Sequence, residues 1–256
     1  MPTSLTLSAG TLFSFLLVLA RVSGALVFVP LPGIRSAPEP ARAALALGFT
    51  LALAARWPAI DATVTAGTLA GWAVAEAALG IAIGVSVAIV LEAFGLAAQV
   101  LGLQAGYAYA STIDPNTQAD SGILLVFAQL MGGMLFFALG LDREVLRLFA
   151  LSLEKVPAGS YVFGPSTGQA LIRLASSLFS VGVRLAMPVV ALLVMVDVAL
   201  ALLGRLNAQL QLLSLAFPAK MLVALLVLSW VSVIFPRVLL EFSGHAWVAA
   251  RRMLGI

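Results

Sequence analysis

The chain has 256 residues, of which 62% are hydrophobic and only 10% are charged, and its mean hydropathy is +1.12. Soluble domains contain about 45–50% apolar and about 25% charged residues, and a soluble protein of this size could not cover so much apolar surface. The composition therefore argues against a soluble enzyme, a disordered regulator and a nucleic-acid-binding domain, and predicts a chain solvated by lipid or by other apolar proteins.

The remaining residue counts limit the chemistry. The formal net charge is +3, and the basic residues are scattered along the chain, which is not the pattern of a nucleic-acid-binding face. Without cysteine there is no disulfide or thiolate metal site, and the single histidine, His245, cannot form a multi-histidine metal centre. We therefore expect no cofactor, no metal and no nucleic-acid partner.

Seven apolar stretches approach the length of about 20 residues that a membrane-spanning helix needs. They lie near 8–30, 42–60, 66–91, 93–111, 122–141, 168–203 and 214–236. Alternation of period two is nowhere sustained, so we predict an all-α polytopic membrane protein with about six to eight long apolar helices in hairpins. The stretch 168–203 is long enough for two passes, or for one long helix with Pro188 as a kink point.

The ends of the chain carry fewer signals. No basic residue precedes Arg21, so the N-terminus lacks the basic region of a secretory signal and resembles the start of a first span. The tail Arg237–Ile256 is amphipathic and ends in Arg251 and Arg252, which predicts a cytoplasmic position for this tail.

Charged residues interrupt the apolar stretches. The charged residues within or beside these stretches include Arg21, Glu76, Glu92, Arg173, Arg184, Asp197, Arg205 and Lys220. Each would cost about 2.5–3.5 kcal/mol at the centre of a bilayer, so we expect these side chains to face protein, water or each other. They are explained either by an ion or substrate path, or by pairing between helices of an assembly and snorkelling near helix ends.

Glycines recur with G-x-x-x-G spacing at Gly67–Gly71, Gly80–Gly84 and Gly102–Gly106. Two glycines four residues apart share one helix face, where the backbone of a neighbouring helix can approach closely. Glu76, Gly80 and Gly84 lie on one such stripe, because four residues rotate the face by only about 40°. The stripe predicts close packing against a neighbour that offers Glu76 a basic or hydroxyl group, and we expect this group in another subunit.

The segment Gln99–Pro115, QVLGLQAGYAYASTIDP, is too polar for a lipid-facing helix. Its glutamines, tyrosines and small residues favour a position lined by water or protein. A buried interface helix with internally paired tyrosine hydroxyls explains the residues equally well.

One motif suggests catalysis. Gly164–Gly168 matches G-x-S-x-G around Ser166, and Asp197 and His245 follow in the order of the α/β-hydrolase triad. That motif requires a strand–turn–helix in a parallel sheet, for which the sequence offers no strands. An intramembrane serine hydrolase is therefore kept only as a remote alternative, and we expect no enzyme.

The quoted residues resemble the FliR/SctT family of flagellar and type III secretion export-gate proteins over roughly residues 15–240. Near the start, Arg21 and Gly24 match the family's first hairpin. The next matches are the Glu-x-x-x-Gly-x-x-x-Gly helix at Glu76–Gly84 and the segment from Gln99 to Pro115. A C-terminal signature also falls in register, and its matching residues are Pro188, Asp197, Arg205, Gln209, Phe217, Pro218 and Lys220.

The chain departs from the family pattern at three places. Ala208 stands where the family usually has proline, Gln211 where it usually has asparagine, and Thr112 where it has an aromatic residue. Tyr109 keeps an aromatic at the other position of that segment.

The resemblance implies a subunit of an inner-membrane pore complex in the flagellar basal body, through which unfolded substrates are exported. The implied partners are FliP-like and FliQ-like subunits, FlhB-like and FlhA-like export proteins, membrane lipid and the substrates. Residues 1–166 would form a FliP-like part with the pore segment, and 167–256 a FliQ-like helical hairpin with the cytoplasmic tail. A virulence-type injectisome gate is an alternative, and a stand-alone secondary transporter is an alternative of another class.

The resemblance also implies roles for two sets of residues. The set expected to line or plug the pore is Gly102, Gln104, Gly106, Tyr107, Tyr109, Thr112, Asp114 and Pro115. The set expected in helix packing and subunit contacts is Arg21, Glu76, Gly80, Gly84, Arg184, Pro188, Asp197, Arg205, Phe217, Pro218 and Lys220.

Overall fold

The computed structural model describes residues 8–29, 38–61, 63–107, 122–161, 164–206 and 212–254. Across these ranges the regular structure is helical, with no strand, which confirms the all-α prediction. The helices are α1 (Ala9–Leu26), α2 (Glu39–Ala52), α3 (Ala66–Ala105), α4 (Ile123–Ala138), α5 (Leu141–Lys155), α6 (Pro165–Leu206), α7 (Leu212–Val231) and α8 (Phe235–Met253). Two 3₁₀ turns, Ala54–Arg56 and Ser232–Ile234, follow α2 and α7.

Local signals set several helix ends. Ser8 caps α1 by accepting a hydrogen bond from the Thr11 amide at 3.2 Å. Gly140, with φ +70°, precedes α5, whose first turn carries Asp142 and Glu144 and whose last turn carries Lys155. This charge order complements the helix dipole.

Four described helical segments are long and apolar enough to cross a membrane. They are α1, α3, most of α6, and the run Pro218–Met253, which joins most of α7 to α8 through the 3₁₀ turn. The count rises to five if α4 and α5, which meet at a bend of 66°, form one span. The chain is therefore a polytopic membrane protein. The predicted stretch 42–60 is not a span in the structure, because α2 has only 14 residues and reaches about 21 Å.

Two predicted stretches join into one helix. The charge of Glu92 predicts a break between 66–91 and 93–111, but α3 runs unbroken for 40 residues, about 60 Å. A single glutamate does not end a helix, since it retains its backbone amide and has good helix propensity. Likewise α6 is one helix of 42 residues with Pro188 inside it, and not two passes.

The chain divides into two compact units that alternate along the sequence. The first comprises Met1–Ile89, Gly140–Ala175 and Ser243–Ile256, and the second comprises Val90–Leu139 and Ser176–Phe242. The core of the first unit includes Leu17, Leu79, Ile83, Leu148 and Phe149. The core of the second includes Phe94, Phe136, Leu193 and Phe235, and Phe94 meets Phe235 edge-on at 5.4 Å.

Candidate functional site

The most buried charges of the first unit form a salt bridge between α1 and α3. Arg21 Nε donates to Glu76 Oε2 at 2.6 Å, and neither side chain is exposed at all. The guanidinium also donates to Ser152 Oγ at 3.2 Å and to the Val156 carbonyl at 2.9 Å, which brings in the C-terminal end of α5. These bonds offset the large cost of removing both charges from water.

The second carboxylate oxygen of Glu76 is held by backbone. The Gly159 amide donates to Glu76 Oε1 at 2.8 Å from the loop that follows α5. Gly159 has φ +92°, and a β-carbon there would lie 3.2 Å from the Trp72 ring, so both conformation and space favour glycine. We call Arg21, Glu76, Ser152, Val156 and Gly159 the buried charge cluster.

The close approach of α1 and α3 depends on glycine. A β-carbon on Gly80 would collide with the backbone carbonyl oxygen of Arg21, and one on Gly84 with that of Ala25. Gly24 on α1 likewise has no room for a side chain, because it faces the Ala77 backbone. The predicted close packing of the Gly80–Gly84 face is thus present, against a helix of the same chain.

The partner of Glu76 differs from the expectation in one respect. Its basic or hydroxyl partner is expected in another subunit, but Arg21 belongs to the same chain. The reason is that the glycine face of α3 accepts α1, which brings two residues 55 positions apart into contact.

The other two G-x-x-x-G pairs have different environments. A β-carbon added at Gly67, Gly71 or Gly102 would meet nothing within 4 Å. Gly106 has φ +86° and ends α3. The Gly106 amide donates to the Leu103 carbonyl at 3.2 Å and the Tyr107 amide to the Gly102 carbonyl at 2.9 Å, the bond pattern of a Schellman motif.

In the second unit, three polar residues of the predicted sets meet. Lys220 Nζ on α7 lies 2.9 Å from Asp197 Oδ1 and 3.0 Å from Oδ2 on α6. Gln104 Nε2, one residue before the end of α3, donates to Asp197 Oδ2 at 3.2 Å. The Lys220 side chain is only 14% exposed, whereas that of Asp197 is 42% exposed.

Tyr107 adds a second bond between the end of α3 and α7. Its phenol donates to the Met221 carbonyl at 3.2 Å, next to Lys220. Burial raises the pKa of Tyr107 above its usual 10. The end of α3 is therefore fastened to the α6–α7 hairpin through Gln104 and Tyr107.

The remaining predicted residues are not part of these clusters. Arg184, Pro188, Arg205 and Pro218 are exposed. Tyr109, Thr112, Asp114 and Pro115 lie outside the described residues, and the structure describes Phe217 only through its backbone in α7.

Comparison with known proteins identifies the chain. The model of bacterial export proteins, family 1, matches residues 12–246. The chain belongs to this family, the FliR family. It is 28% identical to the flagellar biosynthetic protein FliR of Escherichia coli K12 over 207 residues, covering 81% of this chain and 79% of the relative.

Two further relatives support the assignment. The flagellar biosynthetic protein FliR of Bacillus subtilis 168 is 29% identical over 243 residues, 90% of each chain. That of Caulobacter vibrioides is 28% identical over 218 residues, 83% of this chain and 86% of the relative. This FliR-family chain is a membrane component of the flagellar export apparatus and works with other components of that apparatus.

The hydrolase alternative lacks its structural context. Gly164 leads into α6, and the residues described before it, from Pro157 to Tyr161, form a turn and not a strand. Asp197 is engaged by Lys220 and Gln104. In this FliR-family chain the aspartate therefore neutralises a lysine.

Three members of the buried charge cluster, Ser152, Val156 and Gly159, are not predicted from the sequence. Gly159 follows Pro157 and Ala158 in the longest polar stretch, where a glycine is ordinary for a turn. Only the positive φ and the Glu76 contact distinguish it.

Proposed function

We propose that this FliR-family protein is a subunit of the inner-membrane export gate in the flagellar basal body, and that the segment after α3 helps to form and close the pore. Its partners are FliP-like and FliQ-like subunits in one complex, together with FlhB-like and FlhA-like proteins and unfolded substrates. In this proposal residues 1–166 act as the FliP-like part and 167–256 as the FliQ-like hairpin and tail.

The observation that carries the proposal is the attachment of the end of α3. Gln104 and Tyr107 bond to Asp197 and Met221 immediately before residue 108, so the polar segment starts from an anchored position. A segment with this composition avoids lipid, and an anchored start would let it project into an aqueous conduit.

The glycine residues support a separate role for the helix end. Gly106 stops α3 with a left-handed turn, so the chain can leave the helix axis at this point. Tyr107 and Tyr109 would then fill the closed channel, and Gly102 and Gly106 would allow the segment to move when substrate passes.

The decisive experiment measures ion leak through the assembled complex in planar bilayers. Tyr109→Ala removes an aromatic ring from the segment and should raise the conductance. Tyr161→Phe is the control and should leave the conductance unchanged. Tyr161 lies outside the pore segment, and its hydroxyl bonds to the Thr167 hydroxyl. Unchanged conductance of Tyr109→Ala, in a complex assembled at normal yield, would refute the plug role.

The type of secretion system is tested separately. Deleting the gene from its own bacterium should abolish swimming and the secretion of filament protein. Normal swimming with loss of effector secretion would instead favour the injectisome alternative.

A further inference from the structure

An apolar cavity lies inside the second unit, where α3, α4, α6, α7 and α8 meet. It offers about 20 Å³ of space to a water-sized sphere. Its wall includes Leu185 and Val189 of α6, Leu228 of α7 and Phe235 of α8. Protein interiors are close-packed and contain few voids of this size, so a void among five helices gives the adjoining segments space to move.

Pro188 interrupts α6 between two residues of the cavity wall. Proline lacks a backbone amide, and its ring crowds the carbonyl four positions earlier, so a helix bends away from the side that carries its proline. Pro188 is exposed, whereas Ala186, about 160° around the helix, is only 1% exposed. A bend at Pro188 is therefore directed towards the packed side of α6, where Leu185 and Val189 line the cavity.

The run from α7 to α8 is also weakened where it passes the cavity. The 3₁₀ turn Ser232–Ile234 separates the two helices, and the wall residues Leu228 and Phe235 lie on either side of it. The Ser232 hydroxyl donates to the Ser229 carbonyl at 2.7 Å, so a side chain takes part in the bonding of this turn. Hydrogen-bond geometry is poorer in a 3₁₀ stretch than in an α-helix, and such a stretch between helices often acts as a hinge.

Contacts with α3 hold both runs on one side of these interruptions. A β-carbon on Gly182 would lie 3.1 Å from the Ala93 carbonyl oxygen, so α6 is packed tightly on α3 before Pro188. Phe235 meets Phe94 edge-on at 5.4 Å, which holds the start of α8 on the same helix. The fixed side of each interruption is therefore the side next to α3.

On the other side, the α6–α7 hairpin is bonded to the end of α3. Gln104 donates to Asp197 at 3.2 Å, and Tyr107 donates to the Met221 carbonyl at 3.2 Å. A movement of the hairpin about the cavity would therefore displace the last turn of α3, from which the polar segment starts.

We propose that Pro188 and the turn Ser232–Ile234 form a paired hinge, and that the cavity beside them is the space into which the α6–α7 hairpin bends. Bending moves the hairpin relative to α4 and shifts the end of α3 through its two hydrogen bonds. The hinge itself depends on contacts within the second unit. Its effect on export rests on the proposed pore function.

The first test measures the movement by pulsed electron resonance on the purified whole complex. The sequence has no cysteine, so Leu130→Cys in α4 and Leu203→Cys in α6 give a specific pair for spin labels when the other subunits are cysteine-free. A bend of about 20° at Pro188 would move residue 203, about 22 Å further along α6, by about 8 Å. The distance distribution should therefore be broad, and Pro188→Ala, which restores a helical hydrogen bond, should narrow it. Equal distributions would overturn the hinge.

The second test fills the cavity. Ala128→Leu enlarges a wall residue that is 9% exposed, and Ala138→Leu makes the same change at an exposed position of α4. Because Ala128→Leu fills free space, it should raise the unfolding temperature of the complex by about 2–4 °C, narrow the distance distribution and reduce secretion of filament protein. Ala138→Leu should change none of these three quantities.

Two results of the second test would overturn the role of the cavity. A lower unfolding temperature for Ala128→Leu would show that the site has no free space. An unchanged distance distribution would show that the hairpin does not bend into it.

The outcomes also separate the hinge from the pore role. If Pro188→Ala narrows the distances while Tyr109→Ala leaves the ion leak unchanged, the hinge stands and the plug role fails. Equal distances together with an increased leak would refute the hinge alone.

Discussion

Arg21 and Glu76 face each other at 2.6 Å between α1 and α3, and both side chains are fully excluded from solvent. An isolated charge at this depth would be costly, so each residue is tolerated because the other is present. The pair combines a short ionic contact with bonds to Ser152, the Val156 carbonyl and the Gly159 amide.

The first prediction concerns the ionic part of this cluster. Glu76→Gln leaves Arg21 buried without a counter-charge and should destabilise the protein by about 3–5 kcal/mol. Thermal unfolding of the detergent-purified complex, followed by tryptophan fluorescence, measures the effect, and the yield of complex should fall in parallel.

A surface pair provides the control for this prediction. Glu144 and Arg147 form an exposed ion pair on α5 at 2.6 Å, so Glu144→Gln should cost about 1 kcal/mol or less, including its contribution to the helix dipole. Replacing both buried charges together, as Arg21→Met with Glu76→Leu, should recover part of the loss. If Glu76→Gln leaves yield, unfolding temperature and export normal, the ionic explanation is wrong.

The second prediction concerns the contact of α1 with α3. Gly80→Ala places a methyl group against the Arg21 backbone, and overpacking of this kind costs about 1–3 kcal/mol. Gly71→Ala is the control in the same helix, because its methyl group would meet nothing and alanine favours a helix by about 0.8–1.0 kcal/mol. Equal resistance of the two variants to protease in membranes would contradict the packing.

The third prediction concerns the end of α3. Gly106→Ala forces a β-carbon into the left-handed region, which costs about 1–2 kcal/mol and weakens the Schellman motif. Secretion of filament protein should therefore drop. Gly71→Ala, in open space within the same helix, should leave secretion near normal, and a larger defect for Gly71→Ala would argue against the assigned role of Gly106.

The fourth prediction concerns Asp197 and Lys220. Asp197→Asn keeps the shape of the side chain but leaves the nearly buried Lys220 without a counter-charge. Each of Asp197→Asn and Lys220→Met should lower the amount of assembled complex, and the double variant should recover part of it. A double-mutant cycle should give a coupling on the order of 1 kcal/mol, and strict additivity would show that the contact contributes nothing.

The apolar stretches predicted the helical membrane class because the hydrocarbon core of a bilayer requires apolar side chains and its thickness sets the length of a span. This prediction failed for 42–60, where Pro58 and the 3₁₀ turn at Ala54–Arg56 interrupt the stretch and leave a 14-residue helix. The prediction of a break at Glu92 was also wrong. A charged side chain lowers the local hydropathy, but it leaves the backbone hydrogen bonds of the helix intact.

The candidate site was only partly readable from the sequence. Spacing placed Glu76, Gly80 and Gly84 on one face, because that follows from helix geometry alone. The identity of the helix against that face, and hence the pairing with Arg21, depends on tertiary contacts that no local pattern encodes. The same holds for Gln104 and Lys220, which meet only at Asp197.

The contact of the Gly159 amide with Glu76 has a consequence for how the first unit comes apart. The polar face of α5 would suggest a helix that could detach from the surface by itself. Its C-terminal end, however, is tied to Arg21 through Ser152 and Val156, and the following loop is tied to Glu76. Detaching α5 alone would remove hydrogen-bonding partners from both Arg21 and Glu76. We therefore expect α1, the first half of α3 and α5 to unfold together as one cooperative unit.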